Sequence, residues 1–183
     1  MKTFKPRIKA RLRKNRQVLN KNIDNFFGWI KGAKLVELKE CNTEEDPVRP
    51  ELDNEFRTGY GRKIYGVEYQ EEIHAVMCFA YTNKIPKSVE ELEKLSTDAF
   101  LQSAMRDQAG GQIAIAYTVW SKKKGGGKLI VKEVFKKIKK SNHLNRLVTL
   151  SPLTEIATKF HTRNGAKLVQ INETTQNFEY KVI

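Results

Sequence analysis

A nearly continuous apolar run at residues 113–121, IAIAYTVWS, constrains the fold of this chain more than any other feature. Such a strand must be covered on both faces, so the run predicts a buried central strand of a sheet. The turn KKKGGGK at 122–128 follows it, and then LIVKEVFKKIKKS, whose apolar residues recur on one face of a helix and whose lysines lie on the other. We therefore expect a buried strand, a glycine-rich turn and a covering helix in direct succession.

The segments around this unit alternate between strand and helix patterns. A hairpin is predicted over 62–81, where aromatic and β-branched residues flank the polar QEE. Ser88 and Glu91 have the spacing of a capping box and predict a helix over 89–105. RLVTL at 146–150 predicts another buried strand, and 167–183 a final strand or hairpin. The fold class that follows is α/β, an α+β sandwich in which helices cover a mixed sheet.

The segment TLSPLTEIATKFHTRNGA, 149–166, carries a serine and a histidine ten positions apart. Ser151 as N-cap and Pro152 as the first helical residue predict a helix that ends at Asn164–Gly165. Its buried face would consist of Leu153, Ile156, Ala157 and Phe160, with His161 at the border of that face. A straight helix would place Ser151 and His161 about 15 Å apart, at 1.5 Å per residue.

Charge is distributed unevenly along the chain, whose net charge is +13. Residues 1–34 hold eleven Lys and Arg against the single acid Asp24, and residues 122–146 hold ten against the single acid Glu133. This asymmetry favours an anionic partner, either a nucleic acid or a small polyphosphate ligand. We expect one domain over 1–183, with a basic helical arm at 1–34 and a core at 62–183.

Other sequence features limit the class of protein. The two cysteines, Cys41 and Cys78, lack C-x-x-C spacing and indicate reduced thiols in a cytoplasm. The three histidines do not have metal-ligand spacing, so we expect no metal. No apolar run approaches the roughly 18 residues of a membrane span, so we expect no membrane partner.

The glycine-rich turn has the properties of a phosphate-binding loop. Glycines allow backbone N–H groups to approach an anion closely, and the positive end of the following helix stabilises it. Lysines on both sides add positive charge. The candidate phosphate-binding residues are Lys122, Lys123, Lys124, Gly125, Gly126, Gly127 and Lys128.

The order of these elements resembles the GNAT acyltransferase fold, which has a mixed, mostly antiparallel sheet flanked by helices and binds acyl-CoA. Lys124–Gly125–Gly126–Gly127 is similar to the family's basic residue followed by G-x-G/A. Ala157, Phe160–His161 and Gly165 match a common GNAT ending, in which His161 takes the place of a tyrosine that protonates the departing CoA thiolate.

A closer resemblance is to the catalytic domain of malonyl-CoA decarboxylase, which is itself GNAT-like. IAIAYTVWS, GGGKLIVK, TLSP and FHTRNGA are similar to motifs of that family over roughly residues 75–183. Its serine and histidine carry over to Ser151 and His161. The family's S-P continues as I-P-G-F, whereas this chain has LTEI, and the family's long insertion before F-H is absent.

The resemblance implies a CoA-thioester enzyme. The CoA diphosphate would lie on 122–128 and the pantetheine alongside 113–121, in contact with Val119. His161 would donate a proton and Ser151 would hold the thioester oxygen or the leaving carboxylate, with Tyr117 and Asn164 as orienting groups.

Decarboxylation of a malonyl-type substrate is the first functional hypothesis. Acyl transfer to an amine is the second, with Glu68, Glu71 or Glu72 as base, and a nucleic-acid-binding module that uses the basic arm and the lysine-rich helix face is the third.

Overall fold

The computed structural model describes residues 28–106 and 110–180, together with Arg16. Two compact units divide the chain, residues 1–34 and 35–183, and all features discussed below belong to the second. Most of the predicted N-terminal helix lies outside the described residues. Within 28–106 and 110–180, no helix has both the length and the apolar character needed to cross a membrane.

The second unit is built on one mixed, mostly antiparallel sheet. The strands follow the order β1-β2-β3-β4-β5-β8-β6, and β7 pairs with β8 at the side; β4 and β5 pair in parallel. The strands are β1 (Lys34–Leu38), β2 (Lys63–Tyr69), β3 (Glu72–Thr82), β4 (Ile113–Ser121), β5 (Arg146–Thr149), β6 (Ser151–Pro152), β7 (Lys167–Ile171) and β8 (Thr175–Tyr180).

Four described α-helices and two 3-10 turns complete this unit. The helices are α1 (Asn54–Thr58), α2 (Val89–Arg106), α3 (Gly126–Lys139) and α4 (Glu155–Arg163), and the 3-10 turns are Thr43–Glu45 and Gly59–Gly61. Helix α3 buries Leu129, Ile130 and Val134 and exposes its lysines, as its sequence pattern predicts. The predicted mixed sheet flanked by helices is therefore confirmed.

The pairing of β4 with β5 stops halfway along β4. Ile113–Ala116 pairs with Arg146–Thr149, but β4 continues to Ser121 while the chain after β5 turns away to pair with β8. Tyr117 is the extra residue of a bulge against β3, because Cys78 pairs with Thr118 and Phe79 with Ala116. From the bulge onward the two strands separate and leave a cleft between them.

A buried arginine fixes the point of separation. The Arg49 guanidinium donates to the carbonyl oxygen of Tyr117 on β4 and, at 3.1 Å, to that of Leu150 just after β5. Asp46 positions this arginine, since its carboxylate accepts from the backbone N–H of Arg49 at 3.2 Å and from the Thr118 hydroxyl at 2.8 Å. Arg57, which is fully buried, forms a 2.9 Å ion pair with the same carboxylate. The segment between β1 and β2, which carries Asp46, Arg49 and Arg57, thus makes the contacts that hold the cleft.

The start of α4 differs from the prediction. Ser151 and Pro152 form the short strand β6, and the helix begins at Glu155 with Thr154 as its N-cap. The predicted buried face is also wrong in part, because Ile156 is 82% exposed and Leu153 46% exposed. His161 lies inside, at 5% exposure, rather than at the border. The cause is the pairing of β6 with β8, which overrides the local preference of Ser-Pro for a helix start.

Replacement of Arg49 with methionine is expected to lower the free energy of unfolding by roughly 2–4 kcal/mol, because two carbonyl oxygens lose a buried charged donor. Urea denaturation of the variant and the wild type measures this difference. Arg163→Met, at an exposed position on α4, is the matched control and should change stability by less than about 1 kcal/mol. Equal losses in the two variants would contradict the role given to Arg49.

Candidate active site

The separation of β4 from β5 opens a cleft with a volume of about 560 Å³. Its walls come from β4, from the turn after β5 and from α4, and apolar side chains form most of them. Among the residues that the structure describes, those lining the cleft include no carboxylate, lysine or arginine; the polar side chains that line it include Ser151, His161 and Tyr180. The cleft therefore offers an apolar cavity with a small polar centre.

That polar centre is a chain of hydrogen bonds. Ser151 Oγ lies 2.7 Å from His161 Nε2, and His161 Nδ1 lies 2.9 Å from Tyr180 Oη. Ser151 Oγ also lies 3.1 Å from Thr149 Oγ1, which accepts a bond from the Phe178 N–H at 3.1 Å. The predicted separation of about 15 Å between the serine and the histidine is therefore wrong, because the two residues do not share one straight helix.

Strand β8 positions these groups. Ser151 pairs with Gln176, whose side-chain amide donates to the carbonyl oxygens of Pro152 at 2.9 Å and Thr154 at 3.2 Å. These bonds hold the turn that delays the start of α4. Phe178 lies nearly parallel to the His161 ring, with 5.1 Å between ring centroids. The turn, the helix and the histidine are thus all fixed against one strand.

Burial sets the protonation state of His161. It lowers the pKa of His161 to about 4, from an ordinary value of 6.5, so the imidazole is neutral at pH 7. Burial also raises the pKa of Tyr180, which keeps its phenol protonated. One consistent arrangement has Tyr180 donating to Nδ1 and Nε2–H donating to Ser151. The Ser151 hydroxyl can then donate to Thr149 or to a ligand in the cleft.

The glycine-rich turn lies beside this centre. Gly125 has a φ of 86°, which favours glycine, and α3 begins directly after it. A Cβ on Gly127 would lie 3.0 Å from Phe160 Cε2, so the turn packs closely on the residue before His161. Gly127 and Lys128 are in the first turn of α3, where N–H groups have no partner within the helix. Of the turn residues 122–128, Gly127 lines the cleft together with His161, and the other six do not.

The lysines of this turn are not equivalent. Lys122 forms a 2.7 Å ion pair with Glu45, and Lys123 lies over the Tyr69 ring at 4.8 Å from its centroid. Lys124 and Lys128 are exposed beside the first turn of α3. These two are the better placed of the predicted lysines to meet an anion at the helix start.

Of the remaining predicted residues, Tyr117 and Val119 line the cleft and Asn164 does not. Tyr117 is buried, and its hydroxyl has no hydrogen-bond partner among the described residues. The Asn164 side chain instead donates to the Phe160 carbonyl oxygen at 2.9 Å, at the end of α4. Glu68, Glu71 and Glu72, the candidate bases for acyl transfer, lie in the β2–β3 hairpin and do not line the cleft.

The chain is similar to several solved structures. GphF, a GNAT-like decarboxylase in complex with isobutyryl-CoA, matches with a TM-score of 0.62 at 10% identity, over 82% of this chain and 100% of that chain. The loading GNATL domain of CurA from Lyngbya majuscula matches with 0.57 at 13% identity, over 81% and 97%. A Bacillus subtilis acetyltransferase in complex with CoA matches with 0.56 at 13% identity, over 82% and 99%. No protein-family model and no curated protein sequence matches.

The chain has the GNAT fold. At these identities the likeness concerns the fold alone, so the activity has to be inferred from the site. The closer resemblance to malonyl-CoA decarboxylase stays a prediction. A member of that family from Cupriavidus metallidurans matches with a TM-score of only 0.45, over 34% of its length.

Within this GNAT fold, the sequence patterns did not single out Tyr180, Thr149 or Arg49. Tyr180 belongs to a strand that was predicted, and its alternation with Phe178 placed both on one face. The pattern could not predict which strand pairs with β8 at Tyr180, or which helix brings a side chain to the Tyr180 hydroxyl. Arg49 lies among prolines and acids in a stretch without periodicity, where only the fold reveals its contacts.

The depressed pKa of His161 predicts a loss of stability in acid. As the pH falls below 6.5 the unfolded chain binds a proton at this position, whereas the folded protein does not until about pH 4. The stabilising contribution is full above pH 6.5 and decreases by roughly 3 kcal/mol between pH 6.5 and 4. Urea denaturation at several pH values should show a shallower decline for His161→Gln than for the wild type. Parallel declines would contradict the buried neutral histidine.

Proposed function

We propose that this protein is a CoA-thioester enzyme that decarboxylates a malonyl-type acyl group. The observation that carries the proposal is the chain of hydrogen bonds from Tyr180 through His161 to Ser151, placed in an apolar cleft where β4 leaves β5. The solved structures that share the fold include complexes with isobutyryl-CoA and with CoA, which supports a ligand of this class.

The cleft gives each part of such a ligand a suitable environment. A diphosphate would accept from the N–H groups of Gly127 and Lys128, with Lys124 nearby. The pantetheine amides would pair with the edge of β4 after Ala116, which has lost β5 as a neighbour. The acyl end would then enter the cleft between the strands, where Ser151 and His161 lie.

Decarboxylation places two demands on the site. The C–C bond to the carboxylate breaks, its electron pair moves onto the thioester to give an enolate, and CO₂ leaves. The apolar walls disfavour the charged carboxylate of the substrate, and the Ser151 hydroxyl can donate to the thioester oxygen where charge develops. The enolate carbon then takes up one proton, which comes from solvent overall.

The neutral histidine is suited to relay that proton. Ser151 gives its proton to the carbon, Nε2–H of His161 reprotonates Ser151, and Nδ1 takes the phenol proton of Tyr180, which solvent replaces. In this relay, the imidazole of His161 is neutral in the resting enzyme. The predicted orienting role of Tyr117 stays a prediction, because its side chain is buried and its ring packs edge-on against Phe56.

Acyl transfer to an amine is the alternative, and the Bacillus subtilis acetyltransferase with the same fold favours it. An ammonium substrate must lose a proton before it attacks, which calls for a base beside the thioester. The described residues that line the cleft provide His161 but no carboxylate for this step. We therefore place decarboxylation first.

The lysine-rich face of α3 is exposed, and its predicted binding of nucleic acid stays a prediction.

One assay distinguishes the two reactions. The protein is incubated with malonyl-CoA alone, and separately with acetyl-CoA and a set of amines. Release of CO₂ and formation of acetyl-CoA in the first arm support decarboxylation. Release of free CoA that depends on the amine in the second arm, with no CO₂ in the first, would establish acyl transfer instead.

Ser151→Ala and His161→Gln are expected to lower kcat for CO₂ release by roughly 10²–10⁴-fold while KM changes little, because Ser151 acts on the reacting atoms and His161 resupplies its proton. Steady-state kinetics with malonyl-CoA give both constants. Thr162→Ala, an exposed position on the same helix, is the control and should leave both unchanged. Retention of full kcat in both site variants would exclude the relay.

Removal of charge at the turn tests the position of the diphosphate. The double variant Lys124→Ala/Lys128→Ala should weaken CoA binding about tenfold at low salt, with a smaller effect at high salt because ions screen exposed charges. Lys140→Ala is the control, since it lies at the other end of α3, about 18 Å from Lys128 at 1.5 Å per residue. Calorimetric titration with CoA measures both. If the control variant loses as much affinity, the turn is not the diphosphate site.

A further inference from the structure

The chain has two cysteines, Cys41 and Cys78, and the fold brings them together. Cys41 Sγ lies 3.6 Å from the side-chain amide oxygen of Asn54, and the Cys78 thiol is close enough to lower the pKa of Cys41, although the two residues lie far apart in sequence. Cys78 is completely buried within β3, and Cys41 packs partly buried against the same apolar cluster. Neither thiol lines the proposed catalytic cleft, so the mechanism leaves this pair without a role.

Specific contacts hold both residues of the pair. Asn54 fixes the backbone of Cys41, since its amide oxygen accepts from the Cys41 N–H at 2.9 Å and its amide nitrogen donates to the Cys41 carbonyl at 3.0 Å. Arg57 Nη1 lies 3.3 Å from the sulfur of Cys78. The ion pair with Asp46 in turn fixes Arg57. Each cysteine is thus held by hydrogen-bonded neighbours, Cys41 by Asn54 and Cys78 by Arg57.

The two thiols differ in reactivity. The Cys78 thiol and the charge of Arg57 lower the pKa of Cys41, whose side chain is partly accessible. Burial raises the pKa of Cys78, although Arg57 acts in the opposite direction. An accessible thiol with thiolate character is the one that an oxidant attacks first, and a neighbouring thiol then resolves the product. Cys41 has the first role and Cys78 the second.

We propose that Cys41 and Cys78 form a redox-active dithiol that a peroxide converts into an intramolecular disulfide. The Cys41 thiolate attacks one peroxide oxygen and becomes a sulfenic acid, with release of one water. The Cys78 sulfur attacks the Cys41 sulfur and displaces the hydroxyl as a second water. The pair loses two electrons and two protons, and hydrogen peroxide is reduced to two waters. A small-molecule thiol reverses the change by disulfide exchange.

The position of the pair links its oxidation state to the cleft. Arg57 contacts Cys78 through Nη1, and through Nη2 it contacts Asp46 and, at 2.7 Å, the carbonyl oxygen of Arg49. Asp46 and Arg49 belong to the network that holds β4 apart from the end of β5. In a reducing compartment, cysteine pairs that oxidise are commonly sensors. The Arg57 guanidinium therefore contacts both Cys78 and the residues that hold the cleft open.

The test uses the full chain, reduced, freed of reductant and exposed to hydrogen peroxide near equimolar amounts. Peptide mapping without reduction should find one Cys41–Cys78 cross-link within a chain, and free thiols under denaturing conditions should fall from two to none. Dithiothreitol should restore both thiols. Before oxidation, Cys41 should react with an alkylating reagent at least about tenfold faster than Cys78, since access and thiolate character decide the rate.

Cys41→Ser and Cys78→Ser are the controls, and neither variant should form an intramolecular cross-link. Two free thiols after peroxide treatment of the wild type would overturn the proposal. So would oxidation of Cys41 to a sulfinic acid with Cys78 still reduced, or disulfides that join two chains. The wild-type peptide map decides these outcomes even if a variant fails to fold.

Discussion

The separation of β4 from β5 at Ala116 is the constraint on which the rest of the structure depends. Parallel strands that stayed paired would leave no room for a ligand between them. The bulge at Tyr117 lies directly after the last residue of β4 that pairs with β5. The guanidinium of Arg49 occupies the point of divergence and bonds to a carbonyl oxygen on each side. Removing a charged group from water is costly, so its retention there depends on the Asp46 network that surrounds it. The cleft is a consequence of that network.

On the other side of the cleft, strand β8 positions the hydrogen-bonded side chains. Its residues hold the Ser151 turn, stack on the His161 ring and place the Tyr180 hydroxyl at Nδ1. Because the whole relay is buried, the histidine stays neutral and the tyrosine protonated, and the chain can pass a proton without a resting charge. The apolar walls that create these shifted pKa values are the same walls that would destabilise a bound carboxylate. The fold and the proposed chemistry therefore depend on one property, the apolar lining of the cleft.

Much of the fold could be predicted from the sequence, since strand 113–121, its glycine-rich turn and helix α3 follow from local periodicity. Ser151 and His161 were identified through a resemblance, but their geometry was wrong because Ser-Pro is a strong local helix start. The side chain of Gln176 overrides that preference from another strand. Arg49, Asp46 and Tyr180 act through contacts distant in sequence, and neither hydrophobic pattern nor spacing contains that information.

The central claim is that a CoA thioester lies in this cleft with its acyl end at the Ser151–His161 pair. A crystal structure with acetyl-CoA tests it most directly. The account predicts the diphosphate at the N–H groups of Gly127 and Lys128, the pantetheine along β4 beyond the bulge, and the thioester oxygen within hydrogen-bond distance of Ser151 Oγ. A ligand bound outside the space between β4 and β5, or one whose thioester points away from His161, would contradict it.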